Sequence, residues 1–282
     1  RPSSPVEMSA WLAEKRVPIE NPANSEEVVI SQVGWELYEK FFKNYTIKQW
    51  RRSPVELDAS VCGRIPLRTN RDDRYLVEEF QAIPAAGYTR MFERMIEACG
   101  DKVSLLLNTD HREAQSSVQF RHMIYTGPID AFYGHRFGHL PYRSLRFEHE
   151  SFDPLALRSR ERISGKAGFW QPAMQVNYPN EEAFTRIVEI KHATGQLCEN
   201  TTIVREFPDD FTPGKEPFYP IPTPETAALY QRYRSLADAE QNISFIGRLA
   251  TYRYYNMDQV VGMALAEFDR VRKSFWQRDD AR

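Results

Sequence analysis

Two rhythms of apolar and polar positions run along this chain. Over residues 5–16, and again from Asn24, apolar residues fall three or four apart, which predicts amphipathic helices. The second helix carries Ile30, Val33, Leu37 and Phe41 on one stripe and ends near Asn44-Tyr45-Thr46. Pro18 and Pro22 hold the intervening link extended, and Asn24 with Glu27 three residues on predicts a capped start. Residues 51–82 show little periodicity and are rich in Arg and Asp. Helical spacing returns at Gly87-Tyr88-Thr89, with Phe92, Met95, Ile96 and Cys99 as the expected buried stripe and Gly100 as the stop. Short apolar runs at 103–107 and 122–126 predict strands.

Past residue 143 the rhythm changes. Runs at 145–152, 174–178, 185–191 and 201–207, separated by turn-rich links, predict an antiparallel sheet. Thr223-Pro224 then opens a helix in cap-then-proline order. A strand at 242–246, a turn at Gly247 and a long helix finish the chain, the helix with Val261, Leu265, Phe268 and Phe275 on one stripe. The stretch 247–258 therefore sets Arg248, Arg253, three tyrosines and Asn256 between a strand and a helix N-terminus. Backbone N–H groups and the helix dipole favour an anion there. A polar loop with buried aromatics accounts for the same residues equally well.

Composition narrows the classes. The 282 residues are 41% hydrophobic and 27% charged, enough for one large core or two or three smaller ones. A net charge of −2 gives no electrostatic reason to expect nucleic acid or an anionic membrane as partner. No apolar run reaches the length of a membrane span, and there is no signal-peptide pattern. Cys62, Cys99 and Cys198 are widely spaced and odd in number, which argues against structural zinc or a disulfide framework and fits a reducing cytoplasm. The histidines lack ligand spacing on a predicted helix; His135 and His139 are four apart, but in a glycine-flanked turn, so no metal site is expected. Neither a GxSxG elbow nor a P-loop is present.

What recurs is arginine beside tyrosine: Arg74-Tyr75, Tyr142-Arg143, Arg248 near Tyr252, Arg253-Tyr254. The arginine fork suits phosphate oxygens, and tyrosine adds a hydroxyl on a rigid plate. Such a pocket would suit a nucleotide diphosphate, with Tyr45 and Trp50 as stacking plates for the base. For any single pair, core packing and a carboxylate partner is the commoner explanation.

Eight runs in order carry a resemblance: Asn44-Tyr-Thr-Ile-Lys-Gln-Trp50, Arg64-Ile-Pro-Leu-Arg68, Asp72-Asp-Arg-Tyr75, Tyr125-Thr-Gly-Pro-Ile-Asp130, Asn177-Tyr178, Thr185-Arg-Ile187, Pro217-Phe-Tyr-Pro220 and Gly247-Arg-Leu through Tyr254-Tyr-Asn-Met-Asp258. Together they resemble the FAD-dependent UDP-galactopyranose mutases over nearly the whole chain. The resemblance implies that Phe41, Tyr45 and Trp50 hold the uridine, that Arg64 is the mobile-loop arginine closing over the diphosphate, and that Tyr75 is a further phosphate contact. It places Asn177 and Arg186 by the sugar and diphosphate, and the hydroxyls of Tyr219 and Tyr254 on the phosphates. Gly247, Arg248, Asn256, Met257 and Asp258 match the segment against FAD; some members carry Asp where this chain has Asn256. The implied reaction interconverts UDP-galactopyranose and UDP-galactofuranose through a sugar adduct on N5 of reduced flavin. It needs no protein nucleophile, in keeping with the missing Ser, Cys or His constellation.

The implied fold is mixed α/β and α+β: an incomplete Rossmann-like FAD domain, an inserted helical domain and an antiparallel β-sheet substrate domain. In order these are residues 1–82 (helical, with the mobile substrate loop), 83–129 (return segment of the FAD domain), 130–218 (sheet) and 219–282 (last part of the FAD domain). The family's opening strand–GxGxxG–helix has no counterpart here. The chain therefore reads as the C-terminal two-thirds of a cytoplasmic mutase expected to be a homodimer when complete. The competing readings are a non-catalytic UDP-sugar-binding relic of the fold and, with only the fold behind it, a flavin oxidase or dehydrogenase.

Overall fold

The computed structural model describes residues 2–63, 65–72, 74 and 77–279. The chain divides into two compact units, residues 1–105 with 145–209 and residues 106–144 with 210–282. Each unit is built from two stretches of chain.

In the first unit, the helix Pro5–Lys15 starts at Ser4, whose hydroxyl accepts the Glu7 N–H, with Pro5 in the first turn. Asn24 caps the helix Ser25–Leu37 as expected, its Oδ1 accepting the Glu27 N–H at 2.9 Å. The Glu27 carboxylate reaches back to the N–H of Ala23, one residue before the expected box partner. This helix is not continuous. Gly34 has φ +77° inside it, and a Cβ built there would lie 2.2 Å from the Lys15 carbonyl oxygen. Only glycine allows both that backbone and that close approach of the first helix. Beyond the kink come a π-helical turn, Tyr38–Lys43, and a short helix, Asn44–Trp50. The break rotates the stripe: Val33 and Tyr38 are buried, while Phe41 turns out to solvent.

Two expectations for this unit fail. The helix Gly87–Cys99 forms, but it buries nothing, with Phe92 52% and Met95 58% exposed. Residues 103–107 are not a strand; Val103, Leu105, Leu106 and Leu107 lie exposed. Apolar spacing set the secondary structure here, but no described part of the chain covers these faces.

The strands are β1 (Met123–Tyr125), β2 (Tyr142–Phe152), β3 (Gln175–Asn177), β4 (Arg186–Val188), β5 (Thr201–Asp210), β6 (Tyr219–Pro220) and β7 (Ile243–Phe245). They form a five-stranded sheet in the order β3-β4-β5-β2-β6 and a two-stranded sheet of β1 and β7. β4 pairs antiparallel with β3 and with β5, setting Arg186 opposite Asn177 on one side and Glu206 on the other. Of the expected run 185–191, only the first part is strand. Residues Lys191–Thr194 turn helical and end at Gly195 with φ +63°.

In the second unit β1 and β7 pair in parallel, Tyr125 opposite Phe245. Thr223 caps the helix Pro224–Ala237 through the Thr226 N–H. The core beneath joins Ile129, Leu140, Tyr142, Tyr233, Ala237 and Tyr252. The helix Met257–Asp279 forms as expected, yet Val261, Leu265 and Phe268 of its stripe are 57–63% exposed. No described helix is long and apolar enough to cross a membrane.

Candidate functional site

The expected residues fall into two groups, one in each unit. In the first unit, β4 delivers Arg186 to the helix Asn44–Trp50, where its Nη2 donates to the Tyr45 hydroxyl. Its Nε lies 3.5 Å from a Glu206 oxygen on β5, the Glu206 side chain being only 10% exposed. Burial raises the Glu206 pKa, and the Arg186 charge pulls it back in part. The guanidinium is thus held at the surface between a neutral hydroxyl and a carboxylate that gives up its charge more readily than an exposed one. That is a cation poised to exchange partners for an anion.

The position of the short helix is itself fixed from the sheet. Lys48 Nζ donates to the carbonyls of Tyr178 at 2.6 Å and Phe184 at 3.1 Å, closing across the turn between β3 and β4. Asn44 and Asn180 share a hydrogen bond of 3.0 Å. Lys48 and Glu206 are the residues that sequence reasoning missed as positioning groups. Lys48 lay inside a quoted run, and Glu206 on a strand where only alternation was read. Of the other expected residues, Phe41 is 52% exposed and Asn177 is exposed beside Gln175, whose amide reaches its Oδ1 at 3.2 Å. Trp50 is 6% exposed, most of its ring covered by the chain itself.

Arg64 and Tyr75 lie outside the described residues. Around them, Asp72 accepts from both Arg68 and Arg74. Hydrogen bonds from Arg74 hold the Asp72 carboxyl well below the usual range. Asp72 therefore already has cationic partners.

In the second unit the rings of Tyr219 on β6 and Tyr254 stack, with centroids 5.7 Å apart and planes 13° from parallel. The Arg248 guanidinium lies 4.5 Å from the Tyr254 centroid and 5.2 Å from that of Tyr219. Its Nη2 donates to the Phe218 carbonyl at 3.0 Å, while its Nε is buried with no acceptor among the described residues. Gly247 has φ +85°, and a Cβ there would meet nothing within 4 Å. The Thr251 hydroxyl and N–H both return to the Gly247 carbonyl, shaping a one-turn helix, Gly247–Ala250. Asn256, Met257 and Asp258 are exposed at the start of the long helix, the Asn256 N–H bonded to Gln259.

Arg143 and Tyr252, which belong to two of the other arginine–tyrosine pairs, are structural. Arg143 is 2% exposed and ion-paired to Asp210. The Tyr252 hydroxyl accepts the Ile221 N–H and donates to the Pro141 carbonyl inside the core. A cavity of about 500 Å³, lined by Lys166, Phe169, Lys191 and His192 among others, contains none of the expected residues. One group of side chains runs against the sequence expectation: Asp130, His135 and His139 bring three potential ligand atoms within 4.8 Å of one another.

With this geometry in place, comparison with known proteins is direct. The family model "GLF: UDP-galactopyranose mutase" matches residues 40–254. A "Probable UDP-galactopyranose mutase" of Klebsiella pneumoniae is 36% identical over 98% of this chain and 68% of its own length. A "dTDP-fucopyranose mutase" of Escherichia coli is 33% identical over 93% of this chain and 68% of its own length. A "UDP-galactopyranose mutase" of Mycoplasma pneumoniae is 31% identical, with 82% and 58% covered. In fold, the chain matches a "Crystal structure of reduced UDP-Galactopyranose mutase" with a TM-score of 0.55 at 14% identity, over 87% of this chain and 67% of that one.

Proposed function

This chain belongs to the UDP-galactopyranose mutase family, and from that premise we propose that it carries the nucleotide-sugar-binding part of an FAD-dependent isomerase. The reaction is the interconversion of UDP-galactopyranose and UDP-galactofuranose. The observation behind this reading is Arg186, presented by β4 against Tyr45 with the buried Glu206 behind it.

Ring contraction requires the bond between the anomeric carbon and the diphosphate to break and later re-form. Negative charge builds on the departing diphosphate, and a planar guanidinium that can take two of its oxygens lowers that barrier. Arg186 is the group proposed for this, with Arg64 as a second and Asn177 beside it for the sugar. The hydroxyls of Tyr219 and Tyr254 donate to phosphate oxygens, as does that of Tyr75. Tyr45, Phe41 and Trp50 form the side assigned to the uridine, where Phe41 offers an exposed ring and Trp50 mainly packs.

The residues assigned to FAD fit one edge of such a group. A Cβ at the buried Gly247 would meet nothing within 4 Å, so its backbone can be approached closely, and the buried Nε of Arg248, which has no acceptor among the described residues, offers a donor. Asn256, Met257 and Asp258 would complete that edge at the helix N-terminus. Reduced flavin, when bound, supplies an electron-rich ring nitrogen toward the anomeric carbon. The exposed thiols of Cys99 and Cys198 suit the reducing cytoplasm proposed for the enzyme.

The fucopyranose relative favours one second reading, a dTDP-sugar as substrate. Calorimetric titration of the chain with UDP and with dTDP tests both. Saturable UDP binding that is tighter than dTDP binding is expected. Tighter dTDP binding would move the assignment to the second substrate, and no saturable binding of either nucleotide would overturn the reading.

A further inference from the structure

We propose that Asp130, His135 and His139 form a binding site for a divalent first-row transition metal ion. This is independent of the mutase assignment and uses none of the residues placed in that site.

The chain between β1 and β2 wraps back on Asp130. The N–H of His135 bonds to the Asp130 carbonyl at 2.7 Å. Asp130 Oδ2 accepts the Leu140 N–H at 3.0 Å and lies 3.2 Å from His135 Nδ1. The two imidazole rings sit with centroids 3.9 Å apart and planes 31° from parallel. The potential ligand atoms of all three residues lie within 4.8 Å of one another. Tetrahedral zinc holds nitrogen and oxygen ligands roughly 3.4 Å apart at bond lengths near 2.0–2.1 Å. His139 is exposed and is the ligand that would have to move to close the set to that spacing.

Three features separate this group from an incidental surface cluster. Asp130 is only 2% exposed, and its Oδ1 is buried and makes no close hydrogen bond among the described residues, the Tyr142 hydroxyl being its polar neighbour. Burying a carboxylate is costly, and a cation would offset that cost. The Leu140 N–H holds the carboxylate through Oδ2, as second-sphere donors do at metal sites. Finally, His135 has φ +54°, in the left-handed region, between Gly134 and Gly138, which also have positive φ. That backbone folds the segment so that residues four apart off any long helix meet face to face, which periodicity alone does not reveal.

The donor set defines the ion. Two imidazoles and one carboxylate suit zinc, cobalt, nickel or iron(II), whereas magnesium and calcium take all-oxygen sets. Three protein ligands leave a position for water, and the exposed side of His139 provides the way in.

The experiment is titration of the 282-residue chain with Zn²⁺ alone, with Co²⁺ absorption as a second readout and Mg²⁺ as the control ion. One equivalent of Zn²⁺ binding at micromolar concentration is expected, with visible Co²⁺ bands and no Mg²⁺ binding. His139→Gln removes an exposed ligand without disturbing the buried carboxylate, and should weaken Zn²⁺ binding by at least about a hundredfold. His135→Gln should act alike, whereas Cys198→Ser should leave binding unchanged. Absence of saturable binding would overturn the proposal. So would binding untouched by His139→Gln and His135→Gln, because Asp130 and His135 would then be no more than a hydrogen-bonded pair.

Discussion

Arg186 and Glu206 show how one strand pair sets the chemistry of a surface cation. Glu206 is mostly buried, and burial outweighs the pull of Arg186, so its pKa rises. A carboxyl whose folded pKa exceeds its unfolded one favours folding while it is protonated, and that contribution is lost as pH rises through the folded pKa. Glu206→Gln cannot ionise, so its midpoint advantage over the unaltered chain in urea should be least near pH 4 and grow toward pH 7. A flat or reversed difference would show that Arg186 dominates instead. Arg186→Ala should cost about 2 kcal/mol of nucleotide binding, a loss of roughly thirtyfold in affinity by calorimetry. Trp50 belongs to another class of residue. Aromatic identity suggested a stacking plate, but at 6% exposure its truncation to Ala should cost about 3–5 kcal/mol of folding stability in urea denaturation. A raised KM with unchanged stability would restore the stacking role.

The helices that carry these residues depend on local devices that periodicity does not display. The second helix reads as one stripe from Ile30 to Phe41, but Gly34 breaks it to admit the Lys15 carbonyl. Phe41 consequently faces solvent, available to a ligand, where an unbroken helix would have buried it. Gly34→Ala should therefore destabilise the chain by about 2–3 kcal/mol, combining a strained φ with a backbone clash. Urea denaturation measures this, and a change below about 0.5 kcal/mol would mean that the first helix swings aside freely. Lys48 is the corresponding device for the helix Asn44–Trp50. Its ammonium on two carbonyls across the β3–β4 turn keeps Tyr45 at Arg186.

Across the whole molecule, sequence rhythm gave most element types, with 103–107 and the end of 185–191 as exceptions, and was weak for burial. Four strands of the large sheet, the capped starts at Asn24 and Thr223 and the final helix form where spacing and cap chemistry put them, whereas the short β6 was not foreseen. The site residues came through a resemblance, because no spacing rule links Tyr45 to Arg186 across 141 positions. The Asp130–His135–His139 group stayed hidden because its register depends on left-handed backbone. Burial failed at Phe92 and Met95 and again at Val261, Leu265 and Phe268, since an apolar stripe states that a face needs cover without saying what covers it. On the final helix this has a measurable consequence. Contiguous exposed apolar side chains promote self-association, and substitutions at exposed positions change stability within about 0.5 kcal/mol. Leu265→Lys with Phe268→Glu should therefore leave the urea midpoint in place while lowering the self-association seen by sedimentation. A loss above about 2 kcal/mol would instead show that these side chains are packed inside the folded chain.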